Sequence, residues 1–199
     1  MEIVKKRNNG FIKRYLLILF IIIGLISCRM KDPAVYTRTG DDYLDKSLYD
    51  RALQAYNKAL EIDPNYADAH YGIGRVYYHQ AKYDLAIESF KKVLSINPNY
   101  PEAHYMIAFV YDRLKEYDKA IPEYQVAIKQ KSNLLEAYLY LGLIYEHKEN
   151  YTEAIKIYED ALTKIPNSKE IYQSLGNVYS RMGNEQKAKE YYSLAEKKK

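Results

Sequence analysis

Five side chains of this 199-residue sequence are of the types most often recruited for metal or nucleophilic chemistry: Cys28, His70, His79, His104 and His147. A bound zinc needs three or four such ligands converging on one point. His70 and His104 stand a full sequence repeat apart, and His79 follows His70 at a spacing that turns it to a different helix face. The single cysteine excludes an intramolecular disulfide and a Cys-based metal site. Gly72-Ile73-Gly74 lies in a helix-patterned stretch and follows no strand, so it is no phosphate loop. No triad, carboxylate pair or activated nucleophile emerges. The expectation is a chain that is not an enzyme and holds no metal or cofactor.

The elements that carry these residues repeat. From Pro33 onward one pattern recurs every 34 residues, in frame and without insertion, over five copies: 33–66, 67–100, 101–134, 135–168 and 169–199. The eighth position reads Gly40, Gly74, Ala108, Gly142 and Gly176, and the eleventh is always tyrosine, from Tyr43 to Tyr179. The twentieth is always alanine, and the twenty-fourth is Tyr56, Phe90, Tyr124, Tyr158 and Tyr192. In each copy the fourth, seventh, eighth and eleventh positions share one face of a first helix, and a second follows. Asp50, Asp84, Asp118 and Thr152 read as N-caps of the second helices, which end before Pro64, Pro98 and Pro166. Pro122 falls early in its helix, where a distorted first turn and no break is expected.

This arrangement resembles the tetratricopeptide repeat, a helix-turn-helix unit, over about 167 of the 199 residues. The resemblance implies an all-α chain folded as a right-handed superhelical solenoid of five repeats. Small residues at positions eight and twenty let paired helices approach, and the aromatic at position twenty-four fills the gap to the next repeat.

Upstream, Lys5, Lys6, Arg7, Lys13 and Arg14 precede an apolar run from Tyr15 to Ile26, too short to span a bilayer comfortably. A basic start, an apolar core and a small residue describe a secretory signal peptide, here residues 1–27. Leu25-Ile26-Ser27-Cys28 is similar to the lipobox of bacterial lipoproteins. That resemblance implies cleavage before Cys28, acylation of its thiol, a short tether at 28–32, and a site in the cell envelope on the outer membrane or the outer face of the inner one. Without the leader, 25 basic residues balance 25 acidic ones. The neutral remainder lacks the basic face that nucleic acid would require.

On the first helices, positions two, five, nine, twelve and thirteen lie well away from the apolar stripe, and in tetratricopeptide stacks the resemblance places them in a concave, partner-binding groove. A stripe facing only water should be polar. The second repeat puts Tyr71, Arg75, Tyr78 and His79 there; the third, Tyr105, Phe109 and Arg113; the fourth, Leu139, Leu143 and His147. The fifth is more polar, with Asn177 and Arg181. Apolar anchors mixed with cations suit an extended or helical protein segment. The clamp of chaperone-binding members, Lys at position five with Asn at position nine of one repeat, is absent: Thr37 stands with Asp41, Tyr71 with Arg75 and Tyr105 with Phe109. The function so read is a membrane-anchored adaptor for segments of envelope proteins. The alternative is a self-associating surface lipoprotein, a homo-oligomer with its 23 tyrosines outside the leader as interface filling.

Overall fold

The structure, a computed structural model, describes residues 32–197. The leader, Cys28 and most of the tether lie outside the described residues. Ten α-helices and no strand make up the described chain: α1 Pro33–Asp45, α2 Tyr49–Ile62, α3 Ala67–His79, α4 Tyr83–Ile96, α5 Pro101–Arg113, α6 Tyr117–Gln130, α7 Leu135–His147, α8 Tyr151–Lys164, α9 Lys169–Arg181 and α10 Glu185–Glu196. Odd-numbered helices start 34 residues apart, as do even-numbered ones. None of them is long and apolar enough to cross a membrane.

Each hairpin turns by the same device. The residue at position fifteen is left-handed, at Ser47 (φ 56°), Ala81 (57°), Lys115 (61°), Glu149 (56°) and Gly183 (75°). The next amide then reaches back to the tyrosine carbonyl of position eleven, as in Leu48 to Tyr43 at 2.8 Å and Asn150 to Tyr145 at 2.8 Å. This six-to-one closure consumes carbonyls that the end of the helix would otherwise leave unpaired. It also corrects the capping expectation. The second helices open at the tyrosine, so Leu48, Lys82, Glu116 and Asn150 occupy the caps, and Asp50, Asp84 and Asp118 fall inside the first turn. There they act on the positive end of the helix dipole. Only Asn150 of these four caps with its side chain, accepting from the Glu153 amide. Helix α6 runs through Pro122 without a break.

The buried stripe of the first helices also differs from the periodicity reading. Positions three and ten are buried at Ala69, Ala103, Ala137 and Ile171 and at Val76, Val110, Ile144 and Val178. Position four is half-buried at His70, His104 and Tyr172, and position eleven at every tyrosine but Tyr179. A first helix here packs on two sides and needs a broader apolar face than a surface helix. Lysines at the start of the following helix or at its cap cover the position-eleven rings, with Lys82 over Tyr77 at 5.9 Å, Lys119 over Tyr111 at 5.4 Å and Lys187 over Tyr179 at 4.7 Å.

The described residues form two compact units, 32–76 and 77–197, with the division inside α3. In the first, the Tyr56 ring occupies the space that side chains at Gly40 and Gly72 would fill; a Cβ on Gly40 would lie 2.5 Å from it. In the second, Gly142 makes the same room for Tyr158, and Gly176 for Tyr192. The core of this unit includes an apolar cluster around Tyr124, Leu141 and Ile144 and another around Tyr158, Leu175 and Val178.

Candidate functional site

The position-twenty-four aromatics organise the site, because the hydroxyls of Tyr56, Tyr158 and Tyr192 reach back to the first helix of the same repeat. In the first unit Tyr56 donates to Asp41 at position nine, 2.8 Å away. Arg75, at position nine of the next repeat, pairs with the same carboxylate at 3.1 Å. Arg75 is therefore engaged within its own unit, and Tyr71 beside it is half-buried.

In the second unit Tyr192 donates to Asn177 at 2.9 Å. In the fourth repeat position nine is Leu143, which accepts nothing, and Tyr158 donates instead to Glu146 at position twelve, at 2.7 Å. Glu146 is 4% exposed and lies 3.6 Å from Arg181. Burial, with the Glu146 carboxylate beside it, pushes the Tyr158 hydroxyl far above the usual tyrosine range. Asn177 and Arg181 thus serve joints between helices, which the groove reading did not anticipate.

The third repeat is built differently. Tyr124 is fully buried, and its hydroxyl has no hydrogen-bond partner among the described residues. Position nine is Phe109, which accepts nothing, and Asp112 at position twelve is a methylene shorter than Glu146. Burial raises the Asp112 carboxyl, with His147 and Arg113 near enough to pull it the other way. Above Tyr124 the aromatic rings run continuously: Tyr78 to Phe109 at 5.4 Å, Phe109 to Tyr140 at 4.8 Å edge-on, and Tyr105 stacked on Phe109 at 5.8 Å. Tyr140 lies parallel to Tyr124 at 6.3 Å. All of these rings but Tyr124 are half-buried.

The structure thus brings Tyr78, Tyr105 and Phe109 into one cluster crossing α3, α5 and α7. It also adds three residues that the stripe did not name: Tyr140, Tyr124 and Asp112. Position six, where Tyr140 stands, is Arg38, Gly72, Met106 and Ser174 elsewhere, so the tyrosine is a departure visible in the repeat alignment. Leu139 is half-buried against the Tyr158 cluster, and Leu143 is half-buried. His79 is exposed and meets Tyr78 edge-on at 5.5 Å. Arg113 is exposed, as is His147, whose ring lies 6.1 Å from Tyr117. His104 bonds Glu123 at 2.6 Å, and His70 lies 3.0 Å from the Pro64 carbonyl. Among the described residues no group of three or more His, Cys, Asp or Glu is arranged to hold a metal ion.

Models of the tetratricopeptide repeat match residues 40–81, 67–100, 89–121 and 133–197. No curated protein matches the chain. Among solved structures, MamA is similar at 31% identity with a TM-score of 0.69, covering 80% of this chain and 93% of that one. YrrB, described as a TPR protein with an unusual peptide-binding site, is 27% identical with a TM-score of 0.64, covering 86% and 89%. The pilF protein of Pseudomonas aeruginosa shares the fold, with a TM-score of 0.74 at 23% identity over 84% and 76%. With repeat models along most of the described chain and a 31% identical relative covered almost end to end, the chain belongs to the tetratricopeptide repeat family.

Proposed function

We propose that this chain is an adaptor held at a bacterial envelope membrane, where the lipid on Cys28 fixes its place and the first-helix faces capture a segment of a partner protein. The observation that carries the reading is the run of half-buried rings, Tyr78, Phe109, Tyr105 and Tyr140, crossing three first helices. Stacked helix hairpins of this family are interaction scaffolds. Half-exposed aromatics on such a scaffold offer large contact area at little cost in side-chain freedom. The peptide-binding site that names YrrB supports a similar use here. Anchoring rests on the sequence Leu25-Ile26-Ser27-Cys28. A few residues separate Cys28 from α1, which would keep the repeats close to the lipid surface.

A photoreactive residue at Tyr105 in the native cell tests the capture. It should crosslink a partner, and Tyr105→Ala combined with Phe109→Ala should release it; a partner that stays bound removes the ring cluster from the binding surface. Anchoring is tested separately by the mass of the mature N-terminus and by fractionation of Cys28→Ala. An uncleaved leader with an unmodified thiol would end that half of the proposal.

A further inference from the structure

The third repeat holds one feature that packing alone leaves unexplained. Burying a hydroxyl without a partner is destabilising, because the water it gives up is not replaced. The second repeat shows the simple remedy, because Phe90 stands at position twenty-four there and no hydroxyl is buried at all. Tyr56, Tyr158 and Tyr192 show the other remedy, an acceptor 2.7–2.9 Å away on the first helix. Tyr124 has neither. Beside it stands a second unmatched group: the Asp112 carboxylate is half-buried, yet accepts no hydrogen bond and makes no ion pair among the described residues. The basic side chains that act on it, His147 and Arg113, are both exposed. The counterpart of Asp112 in the fourth repeat is fully matched, since Glu146 takes Tyr158 on one side and Arg181 on the other.

Two acceptor oxygens and a rim of ring faces define a ligand chemistry. A carboxylate and a phenol oxygen both accept from N–H groups, and the faces of tyrosine and phenylalanine carry the negative part of their quadrupole. A cation satisfies all three, gaining ring attraction and a charge-assisted hydrogen bond together. We infer that the third repeat is a cation-binding subsite in which a basic side chain, arginine or lysine, of the partner segment is received by Asp112 and Tyr124 between the rings of Tyr105, Phe109 and Tyr140. This deepens the adaptor reading and rests on it. The guanidinium or ammonium donates to the Asp112 carboxylate and to the Tyr124 oxygen. Tyr140 is half-buried and held by ring contacts, with no hydrogen bond on its hydroxyl among the described residues, so it is the ring that turns aside to admit the side chain.

The test uses the full chain in detergent and fluorescent peptides with randomised apolar flanks, made in sets that differ only in a central arginine, lysine, norleucine or glutamate. Anisotropy should show arginine or lysine peptides binding roughly tenfold tighter than their norleucine twins. That preference should collapse in Asp112→Asn and in Tyr124→Phe, while norleucine binding and the thermal midpoint are kept or raised. Tyr124→Phe removes only an unmatched hydroxyl, so it stays folded and keeps the test decisive if Asp112→Asn does not fold. Equal binding of all four peptides, lost in Tyr105→Ala with Phe109→Ala, overturns the cation subsite and leaves the groove standing. A preference for glutamate, or one for arginine that survives both variants, also overturns it. Binding of none of the peptides overturns the subsite and the groove together.

Discussion

The joints of the third and fourth repeats solve the same packing problem in opposite ways. Both bury a tyrosine at position twenty-four against a small residue at position eight, Ala108 in one and Gly142 in the other. In the fourth, polar groups converge on the hydroxyl: Glu146 bonds it, Ser174 contacts it, and Arg181 balances the carboxylate. In the third, the corresponding places hold Asp112, Tyr140 and His147, and the hydroxyl is left to aromatic neighbours. A closed polar network specifies one arrangement of its helices. A ring cluster around unmatched oxygens leaves interaction capacity for something outside the chain. The fourth joint closes its polar groups on one another, and the third leaves the Tyr124 hydroxyl unmatched among the described residues.

Truncating the closed joint gives the largest effect. Tyr158→Ala should cost about 3–5 kcal/mol, the usual range for a buried aromatic, and leave Glu146 without its main partner. Urea unfolding should show the midpoint falling steeply. Next comes Gly142→Ala, whose new Cβ would clash with the edge of the Tyr158 ring. The ring must move and pull on its bond to Glu146, at about 1–3 kcal/mol. The reverse exchange in the other joint, Ala108→Gly, should cost only about 1 kcal/mol, since it removes a methyl group and loosens the helix. Equal losses for the two would mean that the joints are packed alike.

Removing single oxygens sharpens the contrast further, because the sign changes. Tyr158→Phe strips a buried carboxylate of its hydrogen bond and should destabilise by about 1–3 kcal/mol. Tyr124→Phe removes a hydroxyl with no partner and should be neutral or stabilising by about 1 kcal/mol. Paired thermal melts decide it; destabilisation by both would show that Tyr124 is satisfied after all.

Much of this was legible in the sequence, and the failures are local. The glycines and alanines at position eight and the rings at position twenty-four are read directly, because close helix approach needs one and a filled gap needs the other. The second-helix caps were misplaced because the left-handed residue before them is Ser47, Ala81, Lys115 or Glu149, and glycine marks the turn only at Gly183. Positions three and ten escaped because a single amphipathic stripe assumes one packed side. At the site, Tyr105 and Phe109 stood out as apolar residues on a stripe expected to be polar. Tyr140 lies between the two stripes, and Asp112 looks like any surface acid. Only matching each position-twenty-four hydroxyl to an acceptor in its own repeat reveals what the third lacks.

The smallest effect concerns Asp112 itself and is read in pH. Burial raises its carboxyl in the folded chain, so the folded state holds that proton more tightly than the unfolded one. Stability from this group is fully present below the ordinary carboxylate range, and is lost as pH rises through the raised value. Asp112→Asn abolishes that loss. The variant should therefore melt above the parent chain at neutral pH, and the gap should close on acidification as the parent carboxyl takes up its proton. Arg113 and His147 oppose the effect of burial on the carboxyl, which keeps the gap modest. Glu146→Gln in the fourth repeat supplies the control, because it weakens a bond to Tyr158 and a pairing with Arg181 that the parent makes at neutral pH. It should melt below the parent there. Two gaps of the same sign would erase the distinction between an unmatched carboxylate and a matched one.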